Sequence, residues 1–348
     1  MQELFQDIIS NAIAFRPKGE IIGYTRGHRP LRAHRFGRGE FLISLIAGCH
    51  ADEPVGPRLL DRLVVYLDQL APNSSLLKDY QWWIVPHANP DGEEVNKQWF
   101  AGHDDAMDLV QYLTHHKREL PGDDMEFGFP RNEDDIDARP ENRSIAKWWQ
   151  KAGQSFKLHV SLHGMAFAAG PWFLIEPTWA SRCELIKTVC RKAVDEMGYR
   201  LHDVDRQGEK GFYRLEEGFC TRPDSEAMAQ HFSDHQDEST ACKFRPSSME
   251  VIRTLGDDVL TLVSEMPLFL LPNVGETLGP PDPEALLWKQ RIEMWKAQLI
   301  RGGKAEDLIR EEARGHGIEA MSIQDQMQLQ WTFIVAGVRQ AQVNATQK

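Results

Sequence analysis

The chain is poor in cysteine and has no long apolar run. Its five cysteines, Cys49, Cys183, Cys190, Cys220 and Cys242, are odd in number and lack the spacing of a metal motif. Free thiols in a reducing cytoplasm are the expected state. No window approaches the roughly 18 uninterrupted apolar residues of a membrane span. The opening MQELFQDIISNAIAF has neither a basic segment nor a long apolar stretch, so no secretory signal is expected. Positive charge is in deficit: 40 Lys and Arg against 52 Asp and Glu leave a net charge of −12. That argues against a nucleic acid or an anionic membrane as partner and leaves small substrates open. Internal repeats and low-complexity tracts are also missing.

What remains is an ordinary globular composition: 348 residues, 41% hydrophobic and 26% charged, enough to bury a sizeable core. Residues 1–18 read as a short helix. Between Glu20 and Gly48, apolar or alternating runs broken by Gly and Pro read as adjacent strands. FLISLIA is apolar throughout, as in a strand buried on both faces. Val55, Leu59, Leu60, Leu63, Leu67 and Leu70 then recur at helical spacing. YQWWIVP is the next strand, so the segment predicts a βαβ unit. A helix is expected within DAMDLVQYLTHHKREL, and another over SIAKWWQKA with Ser144 as N-cap. FKLHVSLHG alternates as a strand. ASRCELIKTVCRKAVDEMG is a helix ending at Gly198. Residues 202–247 read as long loops. DDVLTLVSEMPLFL is the last clear strand. From Gly279 two long helices follow, the first with Asp282 as N-cap and Pro283 at its first position.

The chemistry sits at strand ends. In GCHADE, His50 and Glu53 follow a buried strand, and His163 ends the strand VSLHG. In α/β sheets, ligands bind at the carboxyl ends of strands. The three residues can meet only through the fold, since 110 residues separate Glu53 from His163. Two imidazoles and one carboxylate are a catalytic zinc set that leaves a position for water. A His-x-x-Glu alone is more often a surface pair, and a histidine at a strand end is more often simply hydrogen-bonded. Glu265, inside the apolar VLTLVSEMPLF, must be paired or functional, because burying a lone charge is costly.

The order GCHADEPVG, PHANPDG, ENRSI, VSLHG, LVSEMP resembles the zinc carboxypeptidase family from roughly Glu20 to Leu270. The resemblance implies an α/β fold, a three-layer α/β/α sandwich with a mixed, mostly parallel central sheet. It would span residues 1–276, with residues 277–348 as a helical C-terminal extension packed on it. It implies one zinc per chain held by His50, Glu53 and His163, and Glu265 as the catalytic glutamate. Asn142 and Arg143 match the pair that grips the substrate's terminal carboxylate; Arg can offer a bidentate fork that Lys cannot. Arg131 or Arg139 would polarise the scissile carbonyl, with Arg131 preferred. Pro140 and Glu141 stand where the family has an Asp, and the tyrosine that closes over substrate in digestive members has no clear match, with Tyr213 in GFYRLEEGF set against it. Glu250, in SSMEVIRT, competes with Glu265 as base.

The implied function is a cytoplasmic zinc metallocarboxypeptidase that cleaves a C-terminal peptide or amide bond. The substrate would be a peptide or N-acyl amino acid with a free carboxylate. A deacylase of N-acyl amino acids or a cell-wall peptide amidase would share the fold and ligands. A binding module without catalysis is the third reading, against which the intact ligand triad and Glu265 both stand.

Overall fold

The computed structural model describes residues 1–10, 17–103, 105–279, 282–302 and 304–346. Among them ten strands form one sheet: β1 (Glu20–Tyr24), β2 (Pro30–Gly37), β3 (Phe41–Ala47), β4 (Tyr80–Val85), β5 (Leu158–Ala168), β6 (Trp172–Ile175), β7 (Arg214–Glu216), β8 (Phe219–Thr221), β9 (Leu260–Leu270) and β10 (Glu319–Ala320). Their order is β1-β2-β4-β3-β5-β9-β6-β8-β7, with β10 pairing β9. The central strands β4, β3, β5 and β9 are parallel, as are β6 and β8, and the remaining flank pairings are antiparallel.

Both sheet faces are covered, which explains why FLISLIA is apolar on both sides except at Ser44, whose buried hydroxyl pairs with His159. Ile43 and Leu45 enter one apolar cluster, Leu42 and Ile46 the other. On the first face lie the helices Val55–Gln69, Glu184–Glu196 and Ile323–Thr346, through Leu59, Leu63, Ile186, Cys190, Leu329 and Phe333. On the second lie Pro140–Gln150 and Ser248–Thr254, through Ile145, Trp148, Trp149 and Ile252. This is a three-layer α/β/α sandwich. Fully burying one Leu or Ile is worth about 1.5–3 kcal/mol, so the strands that carry the site are held by their own apolar runs.

Four local expectations need correction. The first helix is a 3₁₀ turn, Gln2–Leu4, followed by Phe5–Ser10; residues 11–16 of the expected helix lie outside the described ones. NPDG opens a helix, Pro90–Phe100, that its turn-like composition hides. Ser144 is no cap: the helix begins at Pro140 and the Ser144 hydroxyl donates to the Pro140 carbonyl. Residues 202–247 hold β7, β8 and the helices Ser225–Asp234 and Glu238–Ala241. Those helices are capped by the Asp224 and Asp237 carboxylates. The longer one buries no residue, so no apolar stripe announced it.

At the C-terminus, Asp282 caps Pro283–Arg301 with Pro283 in the first turn. The last helix, Ile323–Thr346, belongs to the main core. Its buried Gln330 donates to the His163 carbonyl (3.2 Å) and to Ser264 Oγ (3.4 Å), so the C-terminal segment braces the two site strands.

Candidate metal centre

Gly48, at φ +66°, turns the chain out of β3 and delivers Cys49, His50 and Glu53 to the carboxyl ends of the parallel strands. His163 comes from β5 beside it, and Glu265 is the register partner of His163 on β9. Register partners on neighbouring strands point to the same face. The NPDG turn backs this loop. Asn89 caps its helix by accepting from the Gly92 amide (3.0 Å). Asp91 accepts from Thr25 Oγ1, the Gly27 amide and Arg29. A Cβ on Gly92 would lie 2.6 Å from Ala51 Cβ, so only glycine lets the turn pack against the loop.

His50, Glu53 and His163 converge. His50 Nδ1 lies 2.7 Å from Glu53 Oε1, His163 Nδ1 lies 3.0 Å from Glu53 Oε2, and the two Nδ1 atoms are 3.1 Å apart. Donors around a tetrahedral zinc at about 2.0–2.1 Å stand roughly 3.3 Å from one another, so the spacing fits one such ion. Charge fits as well. Burial lowers the His163 imidazole, yet Glu126 and Glu53 carry it well above its ordinary value. Burial raises the Glu53 carboxyl, yet His50, His163 and Arg118 hold it well below its range. Both shifts have one cause, the attraction between the Glu53 and Glu126 carboxylates and the His163 imidazole that face one another there. Burial, joined by Glu53, pushes Glu265 up to about 7 against the opposing pull of His163.

Arg118 completes the cleft. Its Nη1 lies 3.1 Å from both Asp52 Oδ1 and Glu53 Oε1 while 42% of its side chain stays exposed. The helix Pro90–Phe100 holds the segment in place: fully buried Asn96 pairs with the Lys117 amide and carbonyl, both at 2.8 Å, and Asn89 donates to Glu119. Arg118 was not among the sequence candidates, for no strand end or apolar run marks it. Glu126 was also missed; its Oε2 lies 3.0 Å from His163 Nε2.

The other candidates lie elsewhere. Asn142 is fully buried and donates to the Met125 carbonyl (2.7 Å), which leaves its amide no freedom to grip a substrate. Arg143 and Arg131 line a separate cavity of about 740 Å³ with Lys147 and Glu250, to which none of the triad contributes. Arg131 donates to the Cys242 and Phe244 carbonyls. Arg139 is buried, donating to the Asp123 carbonyl and lying 3.5 Å from Glu141. Tyr213 is 60% exposed and is absent from the residues lining the Glu53–His163 cleft. Glu250 is spent on a capping box with Ser247.

The model of the zinc carboxypeptidase family matches residues 16–218, more than half of the chain. This chain belongs to the zinc carboxypeptidase family. It is therefore a zinc metallopeptidase, a hydrolase, with zinc as its metal. No curated protein is similar enough to count as a relative. Solved structures that resemble it include carboxypeptidase A from Helicoverpa armigera, 14% identical, TM-score 0.49, covering 99% of this chain and 72% of that one. Another is bovine thrombin-activatable fibrinolysis inhibitor, 13% identical, TM-score 0.44, covering 75% and 82%. A third is a metallo-carboxypeptidase from Burkholderia cenocepacia, 12% identical, TM-score 0.41, covering 97% and 68%. All three scores fall below 0.5, so the assignment rests on the family match.

Proposed function

We propose that this zinc carboxypeptidase-family protein hydrolyses a C-terminal peptide or amide bond, with His50, Glu53 and His163 as its metal ligands. The observation that carries the reading is the convergence of those three side chains within 2.7–3.1 Å, with Glu265 in register beside His163. Zinc held there supplies a Lewis acid that polarises a carbonyl and makes water acidic. Glu265 takes the proton of the attacking water and returns it to the leaving amine; a carboxyl pushed up to about 7 is suited to both transfers near neutral pH. Arg118, rather than Arg131, offers its exposed guanidinium to the oxyanion, the electrostatic contribution that is commonly largest. The five unpaired cysteines support the cytoplasm as its compartment. No helix among the described residues is long and apolar enough to cross a membrane.

One observation favours a second reading. Neither Asn142 nor Arg143 reaches the triad, so the terminal carboxylate lacks the grip that the family resemblance implied. An amidase that acts away from a free carboxylate needs no such pair, whereas an N-acyl amino acid deacylase, whose substrate carries that carboxylate beside the scissile amide, needs it as a carboxypeptidase does. A panel of hippuryl peptides, each with a free and an amidated C-terminus, together with N-acyl amino acids, separates the two. Preference for the free carboxylate supports the carboxypeptidase. Equal turnover of free and amidated forms removes that reading and leaves the amidase.

A further inference from the structure

A cavity of about 800 Å³ adjoins the metal cleft. Ala166 of β5 lines both, three residues past His163 and so about 10 Å further along an extended strand. His202, Arg206 and Lys210 also line the cavity, as do Trp288 and Lys289 of the helix Pro283–Arg301. That helix falls outside residues 16–218, which match the family, so family membership does not account for this wall.

We propose that the cavity is a subsite for an acidic side chain of the peptide substrate, about three or four extended residues upstream of the scissile bond. This rests on the carboxypeptidase reading, under which all of the substrate but its last residue extends upstream. The acids lining the cavity are already engaged. Asp282 accepts from the Gly275, Glu284 and Ala285 amides, Asp205 from the Gln207 amide, and Glu293 from Lys296. Glu209 stands 4.0 Å from His231. The donors are not matched in the same way. Among the described residues, Arg206, Lys210 and Lys289 have no carboxylate in ion-pair contact. The Arg206 guanidinium lies over the rings of Phe212 (4.6 Å) and Trp172 (5.5 Å), which fixes its plane and leaves its N–H fork for a carboxylate. His202 is 8% exposed. The Ala169 amide donates to its Nδ1 (3.3 Å), so its ring proton sits on Nε2, and no acceptor among the described residues takes it. Burial lowers both His202 and Lys210, and Arg206 adds to each: like charges are gathered here without a counter-ion. The backbone is also held against its preference. Gln207 and Lys210 adopt φ of +51° and +57°, a region that residues other than glycine keep only where their surroundings impose it, commonly at ligand sites.

The test is calorimetric binding of seven-residue peptides to the zinc-loaded Glu265→Gln chain. Each peptide carries Glu, or Gln as its neutral counterpart, at one of the second to fifth positions upstream of the last residue. At one position the Glu peptide should bind about 10-fold tighter or more, the usual worth of a hydrogen bond to a charged group. Arg206→Gln and Lys210→Gln should each shrink that difference, and the two together should erase it, so that both peptides bind as the Gln peptide does. Arg206→Lys, which keeps the charge, should restore part of it. Equal binding of Glu and Gln peptides at every position overturns the inference, and so does a preference for Glu that survives in the double variant. Turnover by the wild-type chain separates this from the underlying reading. Preferential binding of the Glu peptide with no cleavage of any peptide overturns the carboxypeptidase reading and leaves the subsite standing. Removal of the last residue from every peptide with no preference for Glu in binding overturns the subsite alone.

Discussion

Two clefts in this molecule place arginine beside glutamate, and the smaller one holds the candidate chemistry. The cavity around Arg131, Arg143 and Glu250 measures about 740 Å³, while the space lined by Glu53, His163 and Arg118 measures about 10 Å³, close to the least that holds one water. In the large cavity the charged groups are already engaged: Arg131 with backbone carbonyls, Glu250 with its capping box. In the small one Glu53 and His163 come from the ends of the adjacent parallel strands β3 and β5, and Arg118 is held beside them by its pairing with Asp52 and Glu53. Convergence at strand ends, not volume or local sequence, marks the place where a reaction can be run.

Exchanging residues between the clefts tests that contrast. The largest effect is expected at Glu265. Glu265→Gln should keep zinc and substrate binding and lose about 10²–10⁴-fold in kcat, the usual worth of a general base. Steady-state kinetics with parallel metal analysis reads this, and normal turnover would move the base elsewhere. Next comes arginine. Arg118→Ala should lower kcat by about 10²–10³-fold, the range for one oxyanion donor, with KM changed much less, whereas Arg131→Ala and Arg143→Ala should leave kcat in place. The reverse pattern would return the electrophile to the larger cleft. The smallest effect is at Glu250. Glu250→Ala removes the acceptor half of the capping box and should cost about 1 kcal/mol of stability, read by denaturant melting, with kcat unchanged. Inactivity of that variant would make Glu250 the base.

The sheet was legible because its signal is strong: FLISLIA, YQWWIV and LTLVSEMPLFL are too apolar and too short to be anything but buried strands. The triad was nameable because its members stand immediately after such strands. Arg118 was not, since HHKREL carries no periodic or strand-end signal and its position depends on Asn89 and Asn96 clamping a loop. Glu126 could have been found. It is a lone acid among apolar residues in MEFGF, and the reasoning applied to Glu265 applies to it unchanged. ENRS misled for a physical reason: an Asn-Arg pair reads alike in a binding loop and at a helix start, and only the fold shows Asn142 turned inward. The apolar WTFIVAGV inside the last helix was a comparable sign, because a helix without a polar face lies in a core.

The most direct test of the account is the position of the metal. Crystals grown with zinc and measured at its absorption edge should give one anomalous peak per chain. The account places that peak about 2.0–2.2 Å from His50 Nδ1, His163 Nδ1 and a Glu53 oxygen, on the Arg118 side of the ring. A peak on the other side, among Cys49 Sγ, Glu126 and His163 Nε2, or at any site away from His50 and Glu53, would contradict it.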